Sequence, residues 1–169
     1  HDSHRRQRQM CIRDRYHASI AFVDKQIGRF LESLKKNPRG RDTYVMLVSD
    51  HGWHLGEKKH WCKGAIWEQT THIPFIVSGP GIEAGTTCLQ PASLIDVYPS
   101  LVDLAGFEVP EWLDGRSVKP QLNDPQEVRD PAISSYGSGN TSVRTERWRY
   151  IHYEDCLLYT SDAADDGYR

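Results

Sequence analysis

Several things are scarce in this sequence, and each scarcity excludes a class of protein. No apolar run approaches the roughly 20 residues of a membrane-spanning helix. Neither sign of charge dominates: 21 Lys and Arg stand against 23 Asp and Glu, for a formal net charge of -2. Without a basic excess there is no electrostatic footprint for nucleic acid or for an acidic membrane surface, and neither is expected as a partner. Cysteine is sparse, with four in 169 residues, which is too few for a disulfide scaffold. What is present is ordinary for one globular domain with a core: 38% hydrophobic and 26% charged residues.

The two ends differ from the rest. RRQRQMCIRDR (Arg5 to Arg15) and CLLYTSDAAD (Cys156 to Asp165) are related at the DNA level. Written as TGT CTC TTA TAC ACA TCT GAC GCT GCC GAC, the second stretch reads on the opposite strand, in another frame, as Arg-Gln-Arg-Gln-Met-Cys-Ile-Arg-Asp. That is Arg6 to Asp14. One DNA segment can therefore encode both, a pattern that resembles a transposase-type sequencing adapter. The plainer alternative is a basic arm and an acidic tail. Residues 1–15 and 156–169 are expected to be non-native tails and are set aside from fold reasoning. The native portion is then an internal fragment, residues 16–155. Only Cys62 and Cys88 remain in it, too few to argue a redox compartment.

Within that portion the periodicity predicts a helix over YHASIAFVDKQIGRFLESLKK. Ile20, Val23, Ile27, Phe30, Leu31 and Leu34 recur at spacings of three and four, with Lys25, Arg29, Glu32 and Lys36 opposite. Asn37-Pro38-Arg39-Gly40 stops it. Thr43 to Val48 is a short apolar run that suits a strand buried on both faces of a parallel sheet. Ile73 to Ser78 is a second, with Pro74 at its start or on an edge. Ser93 to Ala105 predicts a helix with an apolar stripe of Leu94, Ile95, Tyr98, Leu101, Val102 and Ala105. Pro99 falls in its first regular turn and Gly106 at its C-cap. After a proline-rich stretch, Ala132 to Ser135 and Ser142 to Tyr153 read as strands, the latter alternating as Val143, Thr145, Trp148, Tyr150. This order argues an α/β architecture.

The densest chemistry lies in VSDHGWHLGEKKHWCK, Val48 to Lys63. Asp50 stands where a buried strand ends, the position at which open α/β sheets place ligands. His51 follows, and Gly52 lets the backbone bend so that both side chains face one crevice. A carboxylate beside an imidazole suits a divalent cation. The alternative is that Asp50 caps the next helix while His51 makes a structural hydrogen bond.

SDHG, LGE, the W-x-K of Trp61 to Lys63 and THIPFIVSGPG together resemble the sulfatase family of the alkaline phosphatase superfamily. The nearest resemblance is to its iduronate-2-sulfatase-like and choline-sulfatase-like members. The leading helix, SLIDVYPSLVDLAG, LDGRS (Leu113 to Ser117) and VRTERWRYIHYED match in the same order. The resemblance implies an α/β fold, part of an alkaline-phosphatase-like mixed sheet sandwiched by helices over residues 16–131. Residues 132–155 would begin a small C-terminal antiparallel subdomain. It implies that Asp50 and His51 complete a calcium (Ca2+) site whose other ligands, two adjacent Asp, are absent here. It implies that Lys63 grips the transferring sulfate group, as an ammonium can neutralise charge on sulfuryl oxygens. Without the resemblance Lys63 reads as a solvated surface lysine. His54 and His60 are candidates to line the pocket, His60 as a hydrogen-bond donor, or are partly exposed loop histidines. Trp53, Trp61 and Trp67 read as core or pocket wall, and Asp24, Glu57 and His72 as structural. Asp114-Gly115 reads as a turn. Arg144, Arg147 and Arg149 face either an anionic substrate or water.

The family's nucleophile is a Cys or Ser within C-x-P/A-x-R, oxidised to formylglycine, whose hydrated aldehyde attacks sulfur. No native cysteine fits: Cys62 continues as KGAI and Cys88 as LQPA, while Cys11 lies in the tail and lacks the Pro or Ala. The resemblance thus implies part of an enzyme that hydrolyses sulfate esters of a sugar or other polar alcohol, with a sulfated small molecule or glycan as partner. The fragment alone is expected to be inactive. By resemblance the parent is periplasmic, secreted or lysosomal. Two alternatives stay open: a phosphodiesterase or phosphonate monoester hydrolase of the same superfamily, and a degenerate member that only binds anionic glycans.

Overall fold

The computed structural model describes the backbone of residues 2–154 and 156–162 and the side chains of residues 7–154. The expected boundary at Asp155 and tail residues 163–169 lie outside the described residues. In chain order the elements are helix α1 (Asp2–Lys36), strands β1 (Val45–Val48), β2 (His54–Leu55) and β3 (Trp61–Cys62), helix α2 (Glu68–Thr71), strand β4 (Phe75–Ser78), helices α3 (Val97–Leu104) and α4 (Lys119–Asn123), and strands β5 (Ala132–Ser135), β6 (Thr141–Arg144), β7 (Trp148–Tyr153) and β8 (Cys156–Asp162). They fall into two compact units. One runs to Thr43 and takes up Trp53–Lys63; the other holds Tyr44–Gly52 and resumes at Gly64.

In the first unit α1 stops at Lys36, where the Asn37 side chain accepts the Arg39 backbone N–H at 2.9 Å. The helix begins well before Tyr16, because Arg, Gln and Met are good helix formers and a formed helix propagates readily. Its apolar stripe exists but is not buried. Ile20, Val23, Phe30 and Leu31 are exposed, and only Ile27 and Leu34 are half-covered. Within this unit only short segments are available to pack on a 35-residue helix.

In the second unit β1 and β4 pair antiparallel, Val45 opposite Ser78 and Val48 opposite Phe75. This corrects the expected parallel pairing. Parallel neighbours need a crossover connection, usually a helix packed on the sheet, and between these strands the described residues form one α-helix, four-residue α2, and one 3-10 turn, Glu57–Lys59. Nor is the run buried on both faces: β1 is half-buried throughout, and Ile76 of β4 is exposed.

Helix α3 lies within the expected span but is shorter, with a 3-10 turn at Leu94–Asp96 leading in, Pro99 in the first turn and Gly106 at φ 80 after its end. Its orientation is the reverse of the expected one. Leu94, Ile95, Tyr98 and Leu101 are exposed, while Asp96, Pro99 and Ser100 are buried. The buried side is polar because it is fully engaged. Asp96 accepts the Ser93 N–H at 2.7 Å and the Arg116 N–H at 2.8 Å, and pairs with Arg129 at 2.9 Å. Both side chains of that pair are 9% exposed. Arg129 also donates to the carbonyls of Ser117 and Arg116 and to Gln121. Ser100 donates to the Asp96 carbonyl and accepts the Val118 N–H at 2.9 Å. Gly115 completes the join, since a Cβ there would lie 2.0 Å from the Ile95 carbonyl oxygen.

Strands β5, β6, β7 and β8 form one antiparallel sheet in sequence order, and β8 falls in the stretch 156–169 that was expected to be a non-native tail. The expected single strand 142–153 is instead a hairpin, with Thr145 and Trp148 closing a turn through Glu146 and Arg147. On β7 the buried positions are Arg149 and Ile151, whereas Trp148 and Tyr150 are exposed. Arg149 is tolerated inside because it pairs with Glu68 at 2.5 Å and donates to Ser142 and the Ile66 carbonyl.

Two expectations follow for stability. Arg129→Met leaves the Asp96 carboxylate buried without its counter-charge, which costs about 3–5 kcal/mol. Urea unfolding followed by circular dichroism measures it, and a loss below about 1 kcal/mol would mean that the backbone N–H groups hold Asp96 unaided. Asp103 gives a pH signature. Burial raises its pKa, but the hydrogen bond and charge of Lys119, at 2.8 Å, with help from Ser117, outweigh this and hold it below 3.8. A carboxyl depressed in the folded state adds stability that is present above the unfolded pKa and is lost as pH falls through the folded one. Lys119→Met should therefore lower stability at neutral pH, and the gap to the unmodified chain should close below pH 3.8. A gap that persists in acid would assign the effect to packing.

Candidate functional site

The candidate residues divide between the units. Asp50 and His51 lie in the second, and His54, His60 and Lys63 in the first. Asp50 and His51 follow directly on β1. Ser49 donates to the His51 carbonyl at 2.9 Å, and one Asp50 oxygen accepts the His51 N–H at 3.0 Å. Asp50 is thus tied to its neighbour and not to a helix N-terminus. His51 Nδ1 lies 2.8 Å from the Gly52 carbonyl oxygen, a partner that suits a protonated Nδ1.

His51 Nε2 is 3.4 Å from the second Asp50 oxygen. Two cis ligands about 2.4 Å from one cation, at right angles, stand about 3.4 Å apart, so the pair fits a calcium-sized ion. Among the described residues no group of three or more His, Cys, Asp or Glu gathers as a metal shell. A calcium ion takes about six to eight oxygens, so these two residues would form one edge of its coordination.

Gly52 serves a different purpose from the expected bend. Its N–H donates to the Thr70 carbonyl at 2.8 Å, and a Cβ would sit 2.1 Å from the Gln69 carbonyl oxygen. The glycine lets the segment after β1 lie against α2, which fixes the backbone carrying Asp50 and His51.

In the first unit β2 and β3 form a minimal hairpin, His54 opposite Cys62 and Leu55 opposite Trp61. Glu57 turns back to accept the Leu55 N–H at 2.6 Å, and the Gly56 N–H donates to the His60 carbonyl. Glu57 is structural, as expected. His54 is fully buried, which removes the reading of it as a partly exposed loop residue. Its ring meets His60 edge-on, with centroids 4.9 Å apart. His60 is half-buried, with its Nε2 3.7 Å from the Cys62 sulfur. Lys63 leaves the hairpin immediately after β3 and is exposed.

Of the three arginines offered to an anion, Arg149 is withdrawn by its burial against Glu68, and Arg144 also lies near Glu68 at 3.5 Å. Arg147 stays exposed. Glu68, Asp96 and Arg129 take part in the ion pairs that organise the second unit, yet sequence reasoning did not single them out. The only local signal was a charged residue beside an apolar run.

Comparison with known proteins bears on this arrangement. The Sulfatase family model matches residues 2–107, and the model for the C-terminal region of N-sulphoglucosamine sulphohydrolase matches residues 56–160. The chain belongs to the sulfatase family. Among relatives, this sulfatase chain is 35% identical over 152 residues to a sulfatase of Formosa agariphila, covering 89% of the chain and 30% of that protein. It is 33% identical over 145 residues to the choline-sulfatase of Rhizobium meliloti, covering 81% of the chain and 28% of that protein. Among solved structures, BT4656 in complex with its substrate D-glucosamine-2-N,6-O-disulfate aligns with TM-score 0.73 and 30% identity, over 88% of this chain and 33% of that one. The sulfatase chain thus spans about a third of the length of the relatives it matches.

The close approach at Gly52 generates a prediction. Gly52→Ala forces α2 and the Asp50–His51 segment apart and should cost about 1–3 kcal/mol. Thermal unfolding reads the loss, and the His51 ring proton shifts should move with it. An unchanged His51 spectrum would mean that the segment is held by β1 alone.

Proposed function

We propose that the parent of this sulfatase chain hydrolyses sulfate esters of a sugar or other polar alcohol, with Asp50 and His51 holding calcium and Lys63 binding the sulfate group. The observation that carries this reading is the Asp50–His51 pair, in which His51 Nε2 stands 3.4 Å from an Asp50 oxygen at the end of β1. The likeness to the complex of BT4656 supports a sulfated sugar as the substrate class. Calcium, when bound, would polarise the sulfate oxygens as a Lewis acid.

The chain's own part is positioning and charge. The Gly52 contact fixes the metal-facing pair. The hairpin fixes the departure point of Lys63, whose ammonium donates to a sulfuryl oxygen as negative charge develops on the leaving group. Half-buried His60 is the candidate donor to that leaving oxygen. On this reading the formylglycine and the two further Asp ligands would lie in the parent's preceding sequence, and the parent would work in a periplasmic, secreted or lysosomal compartment.

In the parent, Lys63→Ala should lower kcat for sulfate release about 100- to 1000-fold, the usual cost of losing one such donor. Asp50→Ala should lower bound calcium, measured by elemental analysis of the purified protein. The 169-residue chain alone should release no sulfate from 4-nitrophenyl sulfate, and turnover by it would sink this division of labour.

A second reading is phosphonate monoester hydrolysis. It is favoured by the likeness to the phosphonate monoester hydrolase SpPMH from Silicibacter pomeroyi, with TM-score 0.74 and 27% identity over 86% of this chain and 33% of that one. Manganese, iron or zinc in the parent in place of calcium, with faster phosphonate than sulfate turnover, would select it.

A further inference from the structure

We propose that the cleft beside the β6–β7 turn binds a sugar ring bearing an anionic substituent. The cleft has a volume of about 330 Å³ and lies among Gln90, Val128, Arg129, Glu146, Arg147 and Trp148. That volume is at the lower end of the range for small-molecule sites and suits a single substituted ring.

Its chemistry is specific. Trp148 is 54% exposed although it sits on a central strand of the sheet. Alternation along β7 sends Arg149 and Ile151 inward and turns the indole toward the cleft side. The indole offers a broad apolar face to the C–H face of a pyranose together with one N–H donor.

The polar rim is held in place before any ligand arrives. Glu146 accepts from Gln90 Nε2 at 2.9 Å, and Gln90 Oε1 accepts the Arg129 N–H at 3.3 Å. Arg129 is itself locked into the buried pair with Asp96. The backbone of Trp148 is fixed by the turn: its backbone N–H donates to the Thr145 hydroxyl at 2.9 Å, and its carbonyl accepts the Thr145 N–H at 2.8 Å. Glu146 and Gln90 retain an oxygen and an N–H suited to vicinal hydroxyls. Arg147, in the same turn, is exposed. It supplies the charge that recognises a sulfate or carboxylate substituent.

An indole face, a fixed amide and carboxylate, and one exposed guanidinium together describe a ligand with hydroxyls, a C–H face and a negative group. An apolar ligand would strand the rim, and among the described residues lining the cleft a polyanion would meet one exposed cation, Arg147, beside the buried Arg129. The choice of sulfate as the anionic group rests on the proposed function; the sugar-binding geometry does not.

The test is an NMR titration of the 169-residue chain, following the indole N–H signals, with glucosamine 6-sulfate and with glucosamine. The Trp148 signal should shift saturably with the sulfated sugar. Trp148→Ala should weaken binding about tenfold or more, and Trp148→Phe, which keeps a ring, should largely retain it. Arg147→Gln should weaken the sulfated sugar about fivefold and leave glucosamine unchanged. Trp112→Ala, at an exposed tryptophan outside the cleft, should change neither. Binding that survives Trp148→Ala, or falls equally with Trp112→Ala, overturns the site. Equal affinity for both sugars overturns the anionic part. No binding by a chain whose parent releases sulfate would end this proposal and leave the function standing, and binding by a chain whose parent releases none would do the reverse.

Discussion

The second unit is organised around a carboxylate and a guanidinium buried together, Asp96 and Arg129. Neither charge could be taken from water alone without a cost of several kcal/mol. Each is therefore surrounded by backbone groups: two N–H donors on Asp96 and two carbonyls on Arg129. Those groups come from the lead-in to α3 and from the LDGRS turn, and Arg129 itself comes from the segment before β5. The pair consequently draws three stretches, distant in sequence, to one point. Through Arg129 and Gln90 the same lattice reaches Glu146 at the sheet's turn. A second fixed charge pair, Glu68 with Arg149, joins the start of α2 to the middle of the sheet.

These pairs explain which parts of the sequence were legible. Helix and strand positions follow from local pattern: the stop at Asn37-Pro38, Pro99 in the first turn of α3, and Gly106 after its end. What pattern did not give was which side faces inward. On α3 and β7 the apolar residues lie outward and the polar ones inward. Periodicity locates a face but does not know its partner, and here the partners of Asp96 and Arg149 are 33 and 81 residues away or so along the chain. The strand pairing escaped for a related reason. An apolar run reads the same whether its neighbour runs parallel or antiparallel, and the length of α2 decides the matter.

The candidate site was legible to a different degree. Asp50 and His51 are adjacent, so their convergence is a property of four consecutive residues and could be anticipated from SDHG. The burial of His54 could not, since it depends on the hairpin that sets it opposite Cys62 and against His60. Gly52 was noticed for its flexibility, but its importance is the space it leaves for the Gln69 carbonyl, a contact no sequence window contains.

The hairpin that carries Lys63 bends through two consecutive lysines in left-handed backbone, Lys58 at φ 51 and Lys59 at φ 60. Side chains with a Cβ occupy that region at a cost of about 1–2 kcal/mol each. Both lysines are exposed, and the strands behind them are two residues long. An exposed, strained Lys-Lys step on so short a support opens at little expense, which makes it a preferred point of entry for a trypsin-like protease. A single cut there would separate His54 from His60 and Lys63 while leaving the charge pairs of the other unit intact.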